Sequence, residues 1–328
     1  MSKGRLGAGL KHIADGIDRA PLQCQRTFVS RAFSVITKNA YLLLLITMVF
    51  WAGNAVAGRF AVGEVSPLCL TWLRWTLGAT FLLVLARRHL ERDWPVLRQH
   101  LPYIAFMGAS GFAIFNAFLY SALVHTTALN ATIVQAGMPM IIFLLNFLVY
   151  RTAVRGLQIL GYSITLIGVL VVASQGQLAL LVSLDINRGD LIMLLAVLVY
   201  ATYSVGVRAK PNLHWLSFLT VLFVVAALIS FPLVIYEATT TAFIWPTSAT
   251  GIAVVLYTAI FPSIIGQALF IRAIELIGGN AAGMFINLVP IFGALLAVLL
   301  LGEAFQPFHG IALVLVLGGI MVAQRSQP

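Results

Sequence analysis

From residue 40 to residue 324 the chain is a succession of apolar stretches about twenty residues long, parted by short polar breaks. That spacing limits the fold more than any other feature. In hydrocarbon an unpaired backbone amide has no water to bond, so a crossing segment must be a helix or part of a closed barrel. Barrel strands are about ten residues long and alternate strictly between apolar and polar. The run 41–50, Tyr-Leu-Leu-Leu-Leu-Ile-Thr-Met-Val-Phe, does not alternate. Ten helices are therefore expected, at 40–60, 66–86, 102–123, 127–149, 155–174, 190–208, 213–235, 249–271, 277–300 and 306–324. Only 9% of residues are charged and 61% are hydrophobic, too little charge to cover a soluble surface. The expected class is an all-α integral membrane protein.

The first 39 residues differ. They carry Lys3, Arg5, Lys11, Arg19, Arg26, Arg31 and Lys38 against Asp15 and Asp18. No apolar core or small-residue cleavage site precedes Ala40, so no cleaved signal peptide is expected. The segment reads as a basic tail that either touches anionic lipid or only helps to fix topology. Charge elsewhere follows the same side. With the N-terminus in the cytoplasm, Arg87, Arg88, Arg92, Arg98, Arg151, Arg155, Arg208, Lys210, Arg272 and Arg325 all fall inside. Arg188 and Arg59 fall outside. Both termini are expected in the cytoplasm of a bacterial cell, across its inner membrane. The net charge of +10 thus reflects topology, and the expected partners are the lipid bilayer and a small molecule, not nucleic acid. Cys24 and Cys69 fall on opposite sides and are not expected to pair. Nothing in the pattern sets an oligomeric state.

The chain repeats itself. Residues 116–139 align without gaps on 267–290, matching Ala117 with Ala268, Ala122 with Ala273, Ala131 with Ala282 and Pro139 with Pro290. Leu144, Leu145 and Leu148 continue the register onto Leu295, Leu296 and Leu299, and Gly168 meets Gly318 after a one-residue shift. Trp51 and Arg59 of the first span match Tyr200 and Arg208 of the sixth. Five spans per half is an odd number, so the second half enters from the opposite side. Inverted repeats of this kind are built to rock about a central site.

These residues resemble the drug/metabolite transporter superfamily of EamA type, over roughly residues 40–325. The points of likeness are Trp51-Ala-Gly-Asn54, Leu73-Arg74-Trp75, the segments 131–139 and 282–290 with their apolar continuations, and Leu301-Gly302-Glu303. Arg151-Thr152 stands where the first half of such proteins has Gly-Glu. The resemblance implies two five-helix repeats, 40–175 and 189–325, that move small metabolites, often outward. It also implies a cavity lined by spans one to four and six to nine, with five and ten peripheral.

Enzyme motifs are missing: no phosphate loop with Lys-Ser/Thr, no His-Glu-x-x-His and no Cys-x-x-Cys. No cofactor or metal is expected, and no catalytic residue. The acids Glu64, Glu91, Asp93, Asp185, Asp190, Glu237, Glu275 and Glu303 all read as loop or span-end residues, so no midplane carboxylate is expected to carry a proton. His125 titrates in the right range but reads as a surface residue near a span end. Arg74 is the one deep charge. It reads either as a clamp for a substrate carboxylate or as a structural arginine tied to helix carbonyls.

The candidate substrate-binding residues are Trp51, Asn54, Trp72, Arg74, Asn116, Tyr120, Gln135, Tyr200, Tyr203, Gln267 and Asn287. Several share a helix face at i,i+3 or i,i+4 spacing: Trp51 with Asn54, Tyr200 with Tyr203, Asn116 with Tyr120. Pro139 and Pro290 each remove a helical N–H, which would free the carbonyls of Gln135 and Ile286 and mark hinges. The expected function is a secondary carrier, exporting small zwitterionic metabolites, most simply amino acids with hydrophobic or aromatic side chains, as a uniporter. The resemblance extends to the YddG-like exporter branch. Amphipathic drugs or phosphorylated sugars are the competing cargo, and a membrane-embedded enzyme or scaffold the competing class.

Overall fold

The computed structural model describes residues 39–151, 155–177 and 187–325. The basic tail and Cys24 lie outside the described residues. Ten helices long and apolar enough to cross a membrane are present: α1 Ala40–Phe60, α2 Pro67–Gln99, α3 Leu101–Leu123, α4 Ala128–Tyr150, α5 Gly156–Ala173, α6 Arg188–Ala209, α7 Trp215–Thr240, α8 Ala249–Ile277, α9 Ala282–Leu301 and α10 Pro307–Gln324. No strand occurs among the described residues.

Local chemistry sets the helix starts. Asn39 caps α1 through the Leu42 N–H at 3.2 Å, Thr127 caps α4 through Asn130 at 3.0 Å, and Ser248 caps α8 through Gly251 at 2.9 Å. Pro67 and Pro307 occupy first-turn positions where no N–H is needed. The main departure from expectation is α2, which runs on past Ala86 to Gln99. Residues 87–94 contain no Gly or Pro, Arg87 and Glu91 pair at i,i+4, and Ala86, Asp93 and Leu97 are buried. Tertiary packing thus carries the helix beyond its apolar stretch.

The α2–α7 pair is tied by a carboxylate at each end. Glu237 of α7 accepts from the Leu68 and Cys69 N–H groups at 3.1 and 2.9 Å. Asp93 of α2 accepts from the His214 N–H at 3.0 Å, just ahead of α7. Each acid meets the positive end of the partner helix. The α5–α10 pair instead meets through small residues. A Cβ on Gly161 would lie 2.4 Å from the Gly319 carbonyl oxygen, so only glycine permits this approach.

The inverted repeat is written into the backbone. A π-helical turn, Ala109–Ile114, interrupts α3 and another, Ala259–Ile265, interrupts α8. Helix α4 breaks at Gly137 and α9 at the 3₁₀ turn Ile286–Leu288, each just before its proline. Helix α4 ends on Arg151 at φ 51°, and α9 on Gly302 at φ 66°. Arg151 and Gly302 are 151 positions apart (302 minus 151), the same offset as Asn116 and Gln267 (267 minus 116).

Candidate functional site

Arg74 is the centre of the bundle's polar chemistry. It lies in the first third of α2 and is 5% exposed. Its Nε donates to Ser263 Oγ at 2.7 Å. Its Nη1 lies 2.8 Å from Asn54 Oδ1, 2.7 Å from Asn116 Oδ1 and 2.6 Å from Tyr120 Oη. Tyr120 in turn donates to Asn54 Oδ1 at 2.9 Å. The guanidinium also lies 4.5 Å from the centroid of the Trp75 ring. All these partners are neutral. The ion pairs among the described residues are Arg87–Glu91, Arg92–Asp93 and Arg272–Glu275, none at this site. No acceptor among the described residues bonds Nη2. The site therefore holds a buried cation with one edge open and no counter-charge, an arrangement that favours an incoming anion.

The two π turns shape this site. Such a turn adds a residue to one helical turn and leaves carbonyls free for other donors. Phe112 O accepts from Trp75 Nε1 at 3.1 Å and from Asn116 Nδ2 at 2.8 Å. Pro262 O accepts from Trp51 Nε1 at 3.1 Å. Ser263 donates back to Thr258 O at 2.7 Å, which leaves its oxygen lone pairs for Arg74.

A cavity of about 330 Å³ opens beside Arg74. Trp51, Asn54, Asn116, Gln135, Tyr200, Gln267 and Asn287 line it together with Pro139 and Pro290. Three expected site residues do not. Trp72 points away and packs its ring 5.7 Å from that of Phe231. Tyr120 sits behind Arg74, fully buried. Tyr203 covers Gly111 and packs on Phe112 and Tyr200. Tyr120 and Tyr203 share helical faces with Asn116 and Tyr200, but Arg74 stands in front of the first and Gly111 and Phe112 cover the second. The Ile286 carbonyl, expected free, accepts from the Val289 N–H because the 3₁₀ turn tightens there. The wall also holds Trp75, Phe112 and Phe115, which the face pattern did not select, and Ile320 and Gln324 of α10. Helix α10 thus reaches the cavity at one end instead of staying wholly peripheral.

The EamA-like transporter family matches residues 38–174 and again residues 187–324. The chain belongs to that family. It is 26% identical over 291 residues to the uncharacterized transporter YyaM of Bacillus subtilis, covering 87% of this chain and 93% of that one. It is 26% identical over 289 residues to a probable terminal-alkyne amino-acid exporter of Streptantibioticus cattleyicolor, covering 86% and 92%. A crystal structure at 22% identity shares the fold with a TM-score of 0.61, over 88% of this chain and 99% of its own. The protein is a multi-pass membrane transporter, and its relatives are named as transporters and not as enzymes.

In this transporter the cavity has one closed end and one open end. Ten crossings bring both described termini to the same face. Toward that face the walls part: Met138–Tyr150 of α4 packs on α6, while the start of α9 packs on α8 and α1. Ile142, Gly283, Asn287 and Gln324 line the cavity on this side. At the other face the first half of α4 packs on α9 and α10. Glu303 clamps it there, taking the Ala128 and Leu129 N–H groups at 2.9 Å each. Arg59 Nη1 donates to Leu123 O at 2.7 Å, which joins α1 to α3.

A chain of side chains reinforces the closed end. The Gln306 N–H donates to His309 Nδ1 at 2.9 Å, so Nε2 carries the proton that meets Asn130 Oδ1 at 3.0 Å. Asn130 reaches Thr126 Oγ1 at 3.4 Å, and Thr126 donates to Asp190 Oδ1 at 2.6 Å. Asp190 lies at a span end as expected, in the first turn of α6, and is fully buried there. His125 is exposed in the adjoining turn.

Proposed function

We propose that the protein is a uniporter that exports small zwitterionic metabolites, with hydrophobic and aromatic amino acids as its cargo. The observation that carries this reading is the open Nη2 edge of Arg74 in a cavity without counter-charge. One cation suits one carboxylate; a phosphate ester would call for several cationic groups, and Arg74 is the single one on the cavity wall among the described residues. The amide oxygens of Gln135, Gln267 and Asn287 are acceptors for an ammonium group, and Trp51, Trp75, Phe112, Phe115 and Tyr200 offer apolar walls to a side chain. The cavity size falls at the lower end of the range for small-molecule pockets. The relative named as a probable terminal-alkyne amino-acid exporter supports this cargo class.

The Lys/Arg bias supports a cytoplasmic location for both termini; with that orientation the cavity opens to the compartment that an exporter loads from. No acid among the described residues lines the cavity, which supports transport without an obligatory proton. The test is counterflow in proteoliposomes with labelled phenylalanine, with its methyl ester, its N-acetyl derivative and glucose 6-phosphate as competitors. Phenylalanine should exchange, and each blocked form should compete at least tenfold more weakly, roughly the loss of one charged contact. Efflux should persist when the pH gradient and membrane potential are collapsed. Stoichiometric proton counterflow, read by a trapped pH dye, would refute the uniport reading.

A further inference from the structure

Helices α4 and α9 touch at the closed end through a contact whose repeat mate is unmade. Thr132 of α4 lies against Gly293 of α9, where an added Cβ would sit 2.3 Å from Thr132 Cγ2. The offset of 151 maps Thr132 onto Gly283 and Gly293 onto Ile142. The mate of this contact is therefore Ile142 of α4 with Gly283 of α9. Both line the cavity, and a Cβ built on Gly283 meets nothing within 4 Å. In both pairs α4 supplies a β-branched side chain and α9 a glycine. That inverts the residue type at each pair of equivalent positions, as complementarity at both ends requires. The breaks before Pro139 and Pro290 lie between the two pairs and allow the halves of each helix to move separately.

The lock at the closed end has no counterpart among the described residues. Glu303 holds the first amides of α4, Ala128 and Leu129. The same offset maps Glu303 onto Thr152 and these amides onto Gly279 and Asn280. Thr152 lies outside the described residues and by sequence carries no carboxylate, and among the described residues no side chain caps the helix that begins at Gly279. The register holds here, because Arg151 and Gly302 both end their helices in the left-handed conformation.

We propose that the face holding the termini closes by seating Ile142 on Gly283, and that this closure lacks the carboxylate lock of the opposite face, so the carrier rests open toward its termini. Inverted repeats make this explicit, since each half adopts the other's arrangement when the site switches sides. The inference rests on the reading of the chain as a carrier but not on the identity of its cargo.

Paired cysteines in a background of Cys24→Ser and Cys69→Ala test it. Thr132→Cys with Gly293→Cys should crosslink rapidly under mild oxidant, which also reports a folded protein. Ile142→Cys with Gly283→Cys should crosslink at least tenfold more slowly. Adding Thr152→Glu supplies the missing cap, and should speed the second crosslink about fivefold. Glu303→Gln should speed the 142–283 crosslink and slow the 132–293 one, an opposite pair of changes that general loosening would not produce. In the Gly283→Leu variant the 132–293 crosslink should stay complete while phenylalanine counterflow is lost. The proposal is overturned if the 142–283 pair never crosslinks while the 132–293 pair does, or if both crosslink equally fast at rest. It is likewise overturned if Thr152→Glu leaves the rate unchanged, or if Gly283→Leu still supports counterflow. The crosslinks need no substrate, so they decide the matter even where phenylalanine proves not to be the cargo.

Discussion

Replacing Arg74 with Met separates a binding arginine from a structural one. Methionine fills similar space along the apolar part of the stem but carries no donor. The stability side can be worked from the contacts. Tyr120 keeps its bond to Asn54, Asn116 keeps its Nδ2 bond to Phe112 O, and Ser263 keeps its bond to Thr258 O. One acceptor, Asn116 Oδ1, loses its partner, at a cost of about 1–3 kcal/mol. Against that, the change removes a buried cation without counter-charge, whose desolvation costs several kcal/mol. The two effects offset, so the variant should unfold within about 3 °C of the parent in detergent. Transport should respond very differently. A charge-assisted contact to a carboxylate is worth about 3 kcal/mol when buried, so apparent affinity should fall roughly a hundredfold. Phenylalanine should raise the melting temperature of the parent but not of Arg74→Met. The assays are thermal unfolding with and without amino acid, and counterflow in liposomes. A variant that melts far below the parent yet transports with unchanged affinity would show that Arg74 only ties helices together, and the binding argument would fail.

Three further expectations concern fold and topology. Arg151→Gly should stabilise the protein by about 0.5–1 kcal/mol, because Arg151 stands at φ 51° where its repeat mate is glycine; an unchanged or lower melting temperature in detergent would count against it. Gly161→Val should cost at least about 3 kcal/mol, since its Cβ would meet backbone atoms of Gly319 and Ala323 at 2.4 and 2.5 Å, and backbone cannot swing aside; normal yield and melting temperature would show that α5 and α10 separate freely. Cysteine at position 187 should react with an impermeant maleimide in intact cells and cysteine at position 327 should not, as the Lys/Arg bias requires.

Ten crossing helices, the inverted duplication and the depth of Arg74 were legible in the sequence. Apolar length and repeat register are one-dimensional quantities, fixed before any helix packs. Asn54 and Asn116 were picked out by helical spacing from Trp51 and Tyr120, and Gln267 by its repeat equivalence to Asn116; all three line the cavity. Other parts of the site depended on partners. The end of α2 is set by burial of Asp93 and Leu97 against α7, which no local pattern records. Trp75 follows Arg74 directly and so faces elsewhere on an ideal helix, yet its ring reaches the guanidinium. Ser263 meets Arg74 only because a π turn in α8 rotates it there. Trp72 had the right chemistry and the wrong neighbour, a ring on α7. How often the chain crosses the membrane, and which halves are equivalent, follow from the order of amino acids alone, because hydrocarbon leaves the backbone no other choice. Which face of each helix meets the cavity, and which end of that cavity is shut, are settled only by packing, because both depend on contacts between helices far apart in the chain.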